Sequence, residues 1–75
     1  MSTVLVVLAH MDFIDNIITE VHGVYKNEKE FLDEAKQLNY EYDIFVDAYT
    51  TIIDDTDVEF EMVLQHVKGS TWKLS

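Results

Sequence analysis

Asp54-Asp55-Thr56-Asp57-Val58-Glu59-Phe60-Glu61-Met62-Val63-Leu64-Gln65-His66-Val67-Lys68-Gly69 is the stretch on which the fold turns. As a helix from Asp57 to Lys68 it has both end signals. Thr56 and Glu59 stand at capping-box spacing, and Asp57 suits the positive N-terminal end. Lys68 suits the C-terminal end, and Gly69 is the stop. Phe60, Val63, Leu64 and Val67 then make one apolar stripe. As a strand, the same residues alternate cleanly, with Val58, Phe60, Met62 and Leu64 inward. The agreement of the two end signals favours the helix.

Upstream of the Asp54-Asp55 turn, Tyr40 to Ile53 alternates as one strand. Tyr42, Ile44, Val46, Ala48 and Ile52 take one face; Glu41, Asp43, Phe45, Asp47, Tyr49 and Thr51 take the other. Asn27 to Leu38 reads as a helix capped by Asn27, with Glu30 three residues on. Phe31, Ala35 and Leu38 share its apolar face. Asp12 to Tyr25 fits either a helix ending at Gly23 or a strand from Ile17 after a hairpin loop, and its β-branched content favours the strand. Thr3 to Met11 is apolar and uncharged, the pattern of a central strand buried on both faces. The expected fold class is therefore α+β: a small antiparallel or mixed sheet with two helices, in the order β-β-α-β-α. Ser70 to Ser75 is expected to pin Trp72 against the core.

The chain has 75 residues, which makes one domain over residues 1–75. So short a chain buries only about 60% of the surface it would expose unfolded, and its stability margin is thin. It has no cysteine, so neither a disulfide nor a Cys-based zinc site can help. Yet 48% of its residues are hydrophobic, enough for a packed core despite the charge. The apolar run Val4 to Ala9 is too short for a membrane span, and no positive segment precedes it. These features lead to the expectation of a cytoplasmic protein.

Fifteen Asp and Glu oppose five basic residues, for a net charge of −10. All five are lysines. Arginine is the main reader of guanine and a major phosphate clamp, so its absence argues against direct nucleic-acid binding. Anionic membranes are disfavoured on the same ground. The charge points instead to a basic protein partner.

At Gly23-Val24-Tyr25-Lys26-Asn27-Glu28-Lys29-Glu30 the chain resembles a pattern of small bacteriophage and prophage proteins. In that pattern a strand ends in Gly-Val-aromatic, a polar cap follows, and an amphipathic helix leads to another strand. The resemblance extends to Val4–His10 and Tyr42–Asp54 and leaves out the end from Asp55 on. It implies a phage-like origin and a fold. In size, charge and lack of arginine the chain also resembles phage-encoded inhibitors that block host enzymes or defence systems, some of them as DNA mimics.

The candidate partner-binding residues are Asp43, Phe45, Asp47, Tyr49, Asp54, Asp55, Asp57, Glu59 and Glu61. From Gln37 to Val67 there are eight carboxylates and no lysine. Asp43 and Asp47, about 6.6–6.8 Å from each neighbouring alternate residue, would flank Phe45 and Tyr49 as apolar anchors. A row of like charges costs stability, so a use for it is expected. The plainer alternative is a solvated face that keeps the chain soluble. Asp54, Asp55, Asp57 and Glu59 suggest a calcium loop, but the central glycine is missing and helix capping explains the same acids. No metal or other cofactor is expected. His10, His22 and His66 lack the i, i+4 spacing of a zinc helix and read as structural histidines. Serines occur only at Ser2, Ser70 and Ser75, and no glycine-rich loop exists to hold phosphate. The expected function is protein binding and not enzymatic catalysis. Phe13, Ile14 and Ile18 are more apolar than one short element needs, which keeps open a homo-oligomer or accessory subunit that binds through an apolar surface.

Overall fold

A computed structural model of the chain describes residues 2–67. In chain order it holds β1 (Ser2–Asp12), β2 (Ile17–Tyr25), α1 (Glu28–Gln37), β3 (Glu41–Asp43), β4 (Ala48–Ile53) and β5 (Thr56–Val67). The strands form one sheet in the order β2-β1-β5-β4-β3, and every neighbouring pair is antiparallel. The order is therefore β-β-α-β-β-β, not β-β-α-β-α. Among the described residues there is one helix. The expected position of Trp72 lies outside the described residues.

The first correction concerns Thr56–Val67, which is a strand. Asp54 and Asp55 both take positive φ, 49° and 60°. That is the backbone of a two-residue hairpin turn whose twist matches the flanking strands. Ile53 then pairs with Thr56, and the alternation of β5 follows. Val58 and Phe60 are buried while Asp57, Glu59 and Glu61 are exposed. A helix here would have left the second edge of β1 unpaired. As a strand, β5 pairs along the whole of β1, from Ser2↔Val67 to Asp12↔Asp57. Long-range pairing outweighs the local capping signals.

The second correction concerns Tyr40 to Ile53, which is a hairpin and not one strand. The chain turns between Asp43 and Ala48, whose Cα atoms pair. Phe45 N–H donates to Asp43 Oδ1 at 2.9 Å, an Asx-type turn. Asp47 completes the loop at φ 54°, a left-handed value that Asp tolerates better than most residues.

Local signals succeed where tertiary pairing does not compete. Phe13 N–H donates to the Asn16 carbonyl at 2.9 Å, closing the β1–β2 loop and making Ile17–Tyr25 a strand. Asn27 caps α1 by accepting from Glu30 N–H, while Glu30 Oε1 accepts from Lys26 N–H. The helix closes with Tyr40 N–H donating to the Ala35 carbonyl and Asn39 N–H to that of Lys36, with Asn39 left-handed at φ 59°.

Phe31 and Ala35 of α1 are buried against Leu5, Val7, Ala9, Val58 and Phe60, so the core lies between the helix and one sheet face. Phe31 is fully enclosed and meets Tyr25, Tyr49 and Phe60 edge-on at 5.4–6.1 Å between centroids. Leu38, expected on the buried helix face, is exposed. β1 is central, as read, but only its helix-facing side is buried.

Replacing the turn by the favoured Asn-Gly pair (Asp54→Asn with Asp55→Gly) is expected to raise the unfolding free energy by about 0.5–1 kcal/mol, read as a higher urea midpoint. A lower midpoint would show that this segment does not form the two-residue turn.

Candidate functional site

The register of the sheet assigns each strand residue to a face. Leu5, Val7, Ala9, Val58, Phe60, Tyr49, Thr51 and Tyr42 share the helix side through their pairings. The opposite side, which no element of the described chain covers, is called the open face. There Asp12 stands beside Asp57, His10 beside Glu59, and Leu8 beside Glu61. Thr50 stands between Glu59 and Glu41, and Ala48 beside Asp43. The open-face carboxylates therefore sit on β5, on β3 and at the end of β1, and β4 between them presents Ala48, Thr50 and the exposed Ile52.

A concavity of about 580 Å³ opens in this acidic half, and Asp12, Glu41, Asp43, Asp57 and Glu59 contribute to its lining. Facing side chains on neighbouring strands lie about 4.5–5.5 Å apart at Cβ, so Asp12 and Asp57 place like charges directly opposite, an unfavourable pairing. The cations are elsewhere. Among the described residues the lysines are Lys26, Lys29 and Lys36, in the β2–α1 turn and on α1. Lys29 Nζ is engaged by Asp33 at 2.9 Å. Among the described residues, the lysines are thus separated from the acidic face.

The expected site residues are divided by this geometry. Asp43, Asp57, Glu59 and Glu61 belong to the open face. Asp54 and Asp55 form the β4–β5 turn. Phe45 is 92% exposed at the tip of the β3–β4 turn. Asp47, in the same turn, accepts from the Tyr42 hydroxyl. This bond, with burial and the Asp47 charge adding to it, raises the Tyr42 pKa. Tyr49 packs against the core on the helix side. The row in which Asp43 and Asp47 share a strand face with Phe45 and Tyr49 is therefore not formed. Asp12 and Glu41 were not singled out for the site, though they line the concavity. Only the β1–β5 pairing places Asp12 opposite Asp57, and no local pattern announces it.

No protein-family model, curated protein or solved structure matches the chain.

The histidines are held by neighbours. His10 Nδ1 lies 2.7 Å from Thr19 Oγ1, and its Nε2 lies 2.8 Å from Glu61 Oε1. His66 Nδ1 lies 3.3 Å from Thr3 Oγ1. His22 is the extra residue of a β-bulge opposite Val7/Leu8, and its ring turns to the helix side, 4.8 Å from that of Phe60. His10 and His22 therefore do not converge. Among the described residues, no three His, Asp or Glu side chains are grouped to hold a metal ion.

Beside the bulge, a Cβ on Gly23 would stand 3.1 Å from the Tyr25 ring, so glycine lets that ring lie over the strand. The Tyr25 hydroxyl donates to Glu34 Oε2 at 2.8 Å, and His22 Nε2 lies 3.1 Å from the same oxygen. Burial alone would raise the Glu34 pKa, but bonds from His22 and Tyr25 and the histidine charge bring it below its ordinary value. Burial, followed by the bond and charge of Glu34, pushes Tyr25 far upward. Tyr40 is raised by burial and then by the Glu34 charge. These groups tie β2 to α1 on the side away from the acidic concavity.

Two measurements follow from this geometry. Glu34 contributes stability that is present above its unfolded pKa and lost as pH falls through its lower folded value. Glu34→Gln should therefore flatten the loss of stability below pH 4.5, the ordinary value of the group, in urea titrations across that range. A parallel acid limb in both proteins would exclude this linkage. Separately, Asp57→Asn removes the like-charge pairing with Asp12 and should raise the melting temperature by a few degrees at low salt. The gain should shrink at high salt as the repulsion is screened.

Proposed function

We propose that the chain is a protein-binding module whose acidic half-face occupies a basic, nucleic-acid-binding surface of a partner protein. The observation that carries this reading is the separation of charge. Asp12, Glu41, Asp43, Asp57 and Glu59 gather at one concavity, while the described lysines lie in the β2–α1 turn and on α1. A solubility function needs net charge but no concentration of it. Facing Asp12 with Asp57 costs stability in a domain with a thin margin, and a binding role gives that cost a use. Carboxylates arrayed on a rigid sheet would steer the module toward a basic groove and compete there with phosphate. Phe45, exposed at the β3–β4 turn, adds an apolar contact at the margin.

The role is of the kind filled by phage-encoded inhibitors and DNA mimics, and the proposal includes a cytoplasmic setting. It involves no catalysis and no cofactor. Among the described residues, no helix is long and apolar enough to cross a membrane.

The test is capture from a bacterial lysate on immobilised protein, with duplex DNA added as competitor. The expected catch is a basic DNA- or RNA-handling protein. It should be displaced by the duplex and bind about tenfold or more weaker at high salt. Asp57→Asn/Glu59→Gln should lose it while remaining folded. Capture indifferent to salt and to DNA would overturn the reading.

A further inference from the structure

His10 is the one histidine on the open face. The register puts His66, with Thr3, on the helix side, and the His22 ring turns there through the β2 bulge. His10 also stands at a border. On the β2 side its open-face neighbours are Ile17, Thr19 and Val21, and further along Val24 lies beside Val6. None of these is charged. On the β5 side Glu59 stands directly opposite His10, with Asp57 and Glu61 the open-face residues before and after it. Asp12 is the next open-face residue of β1.

The two ring nitrogens are held differently. Nε2 lies 2.8 Å from Glu61 Oε1, and an ionised carboxylate only accepts, so Nε2 carries a hydrogen whatever the charge of the ring. The exchangeable position is Nδ1, 2.7 Å from Thr19 Oγ1. In the neutral ring Nδ1 accepts from the Thr19 hydroxyl. In the imidazolium it donates to the same oxygen, and the hydroxyl hydrogen rotates away. The side chain is 28% exposed, so water reaches the ring. A proton therefore enters or leaves with both hydrogen bonds kept and no strand displaced. Only the charge of the face changes.

We propose that His10 is the pH control of the acidic half-face. Histidine changes charge between pH 5 and 8, a range in which ordinary carboxylates stay largely ionised. Its proton and a basic partner are cations drawn to the same carboxylates, Asp12, Asp57, Glu59 and Glu61, so each opposes the other. The partner is held at neutral pH and loosened in acid, and by reciprocity its binding expels protons. The inference rests on the acidic half-face being the binding surface. One charge acts against the several that a basic groove brings, which sets the effect at the lower end of usual coupling, about fivefold in affinity.

Fluorescence anisotropy with a labelled oligo-arginine peptide, standing in for a basic surface, tests this at constant ionic strength. Between about pH 8 and about pH 5.5, wild type should lose about fivefold in affinity. His10→Gln keeps a donor and an acceptor without a titratable charge. It should bind alike at both pH values, as tightly as wild type does at the higher one. Calorimetry in buffers of different ionisation enthalpy should show more protons released on binding by wild type than by His10→Gln. Asp57→Asn/Glu59→Gln should bind weakly throughout, and far-UV spectra should show both variants folded. A peptide that fails to bind, or that binds Asp57→Asn/Glu59→Gln as well as wild type, would overturn the acidic-face reading and this inference with it. Binding that needs those carboxylates but is flat with pH, or that falls equally in His10→Gln, would overturn the inference alone.

Discussion

The pairing of β1 with β5 is the constraint from which the rest of the structure follows. It joins the two ends of the described chain at the middle of the sheet, with Ser2 against Val67 and Asp12 against Asp57. Because side chains alternate, this one register decides the face of every residue on both strands. It sets Val58 and Phe60 under the helix together with Leu5, Val7 and Ala9. In the same step it turns Asp57, Glu59 and Glu61 to the open side. A slip by one residue would exchange the core for the carboxylates. Burial of Phe60 and Val58 therefore fixes the acidic face, although none of its carboxylates needs to contribute stability.

Packing around Phe31 secures that register from the helix side. Phe31 is the one fully buried aromatic of α1, and the rings of Tyr25, Tyr49 and Phe60 surround it from three different strands. Edge-to-face pairs of this kind contribute beyond the area they bury. The β2 bulge and Gly23 belong to the same arrangement. The bulge brings His22 to Phe60, and glycine leaves room for the Tyr25 ring. Both residues then reach Glu34 on α1. Aromatic and polar contacts to one helix thus hold the sheet from its outer strand to its interior, and no element of the described residues covers the opposite side.

How much of this is legible in the sequence depends on the range of the interaction. The helix over residues 28–37 is readable because Asn27, Glu30, Phe31 and Ala35 act within three turns of one another. β1 is readable as a central strand from its uncharged, β-branched run. β5 is misread because capping signals at Thr56, Asp57 and Glu59 are local, whereas its partner strand β1 lies 45 to 65 residues away in the chain. The hairpin at Asp43–Ala48 is missed for a related reason. Tyr40 to Ile53 alternates without interruption, and Asp is a weaker turn signal than Gly or Pro even where Asp47 adopts positive φ. Charge fares differently. The excess of acid is visible in composition, but its gathering at one concavity depends on the β1–β5 and β3–β4–β5 registers.

The open face then divides into two halves with opposite demands. Valines on the β2–β1 side gain by leaving water, while the carboxylates on the β5–β4–β3 side gain from an opposing positive charge. His10 lies at the border, its two nitrogens directed to Thr19 on β2 and Glu61 on β5. It bridges the apolar and acidic strands with hydrogen bonds, so the division needs no break in the sheet. A partner that is only basic leaves the valines wet, and one that is only apolar leaves the carboxylates unpaired.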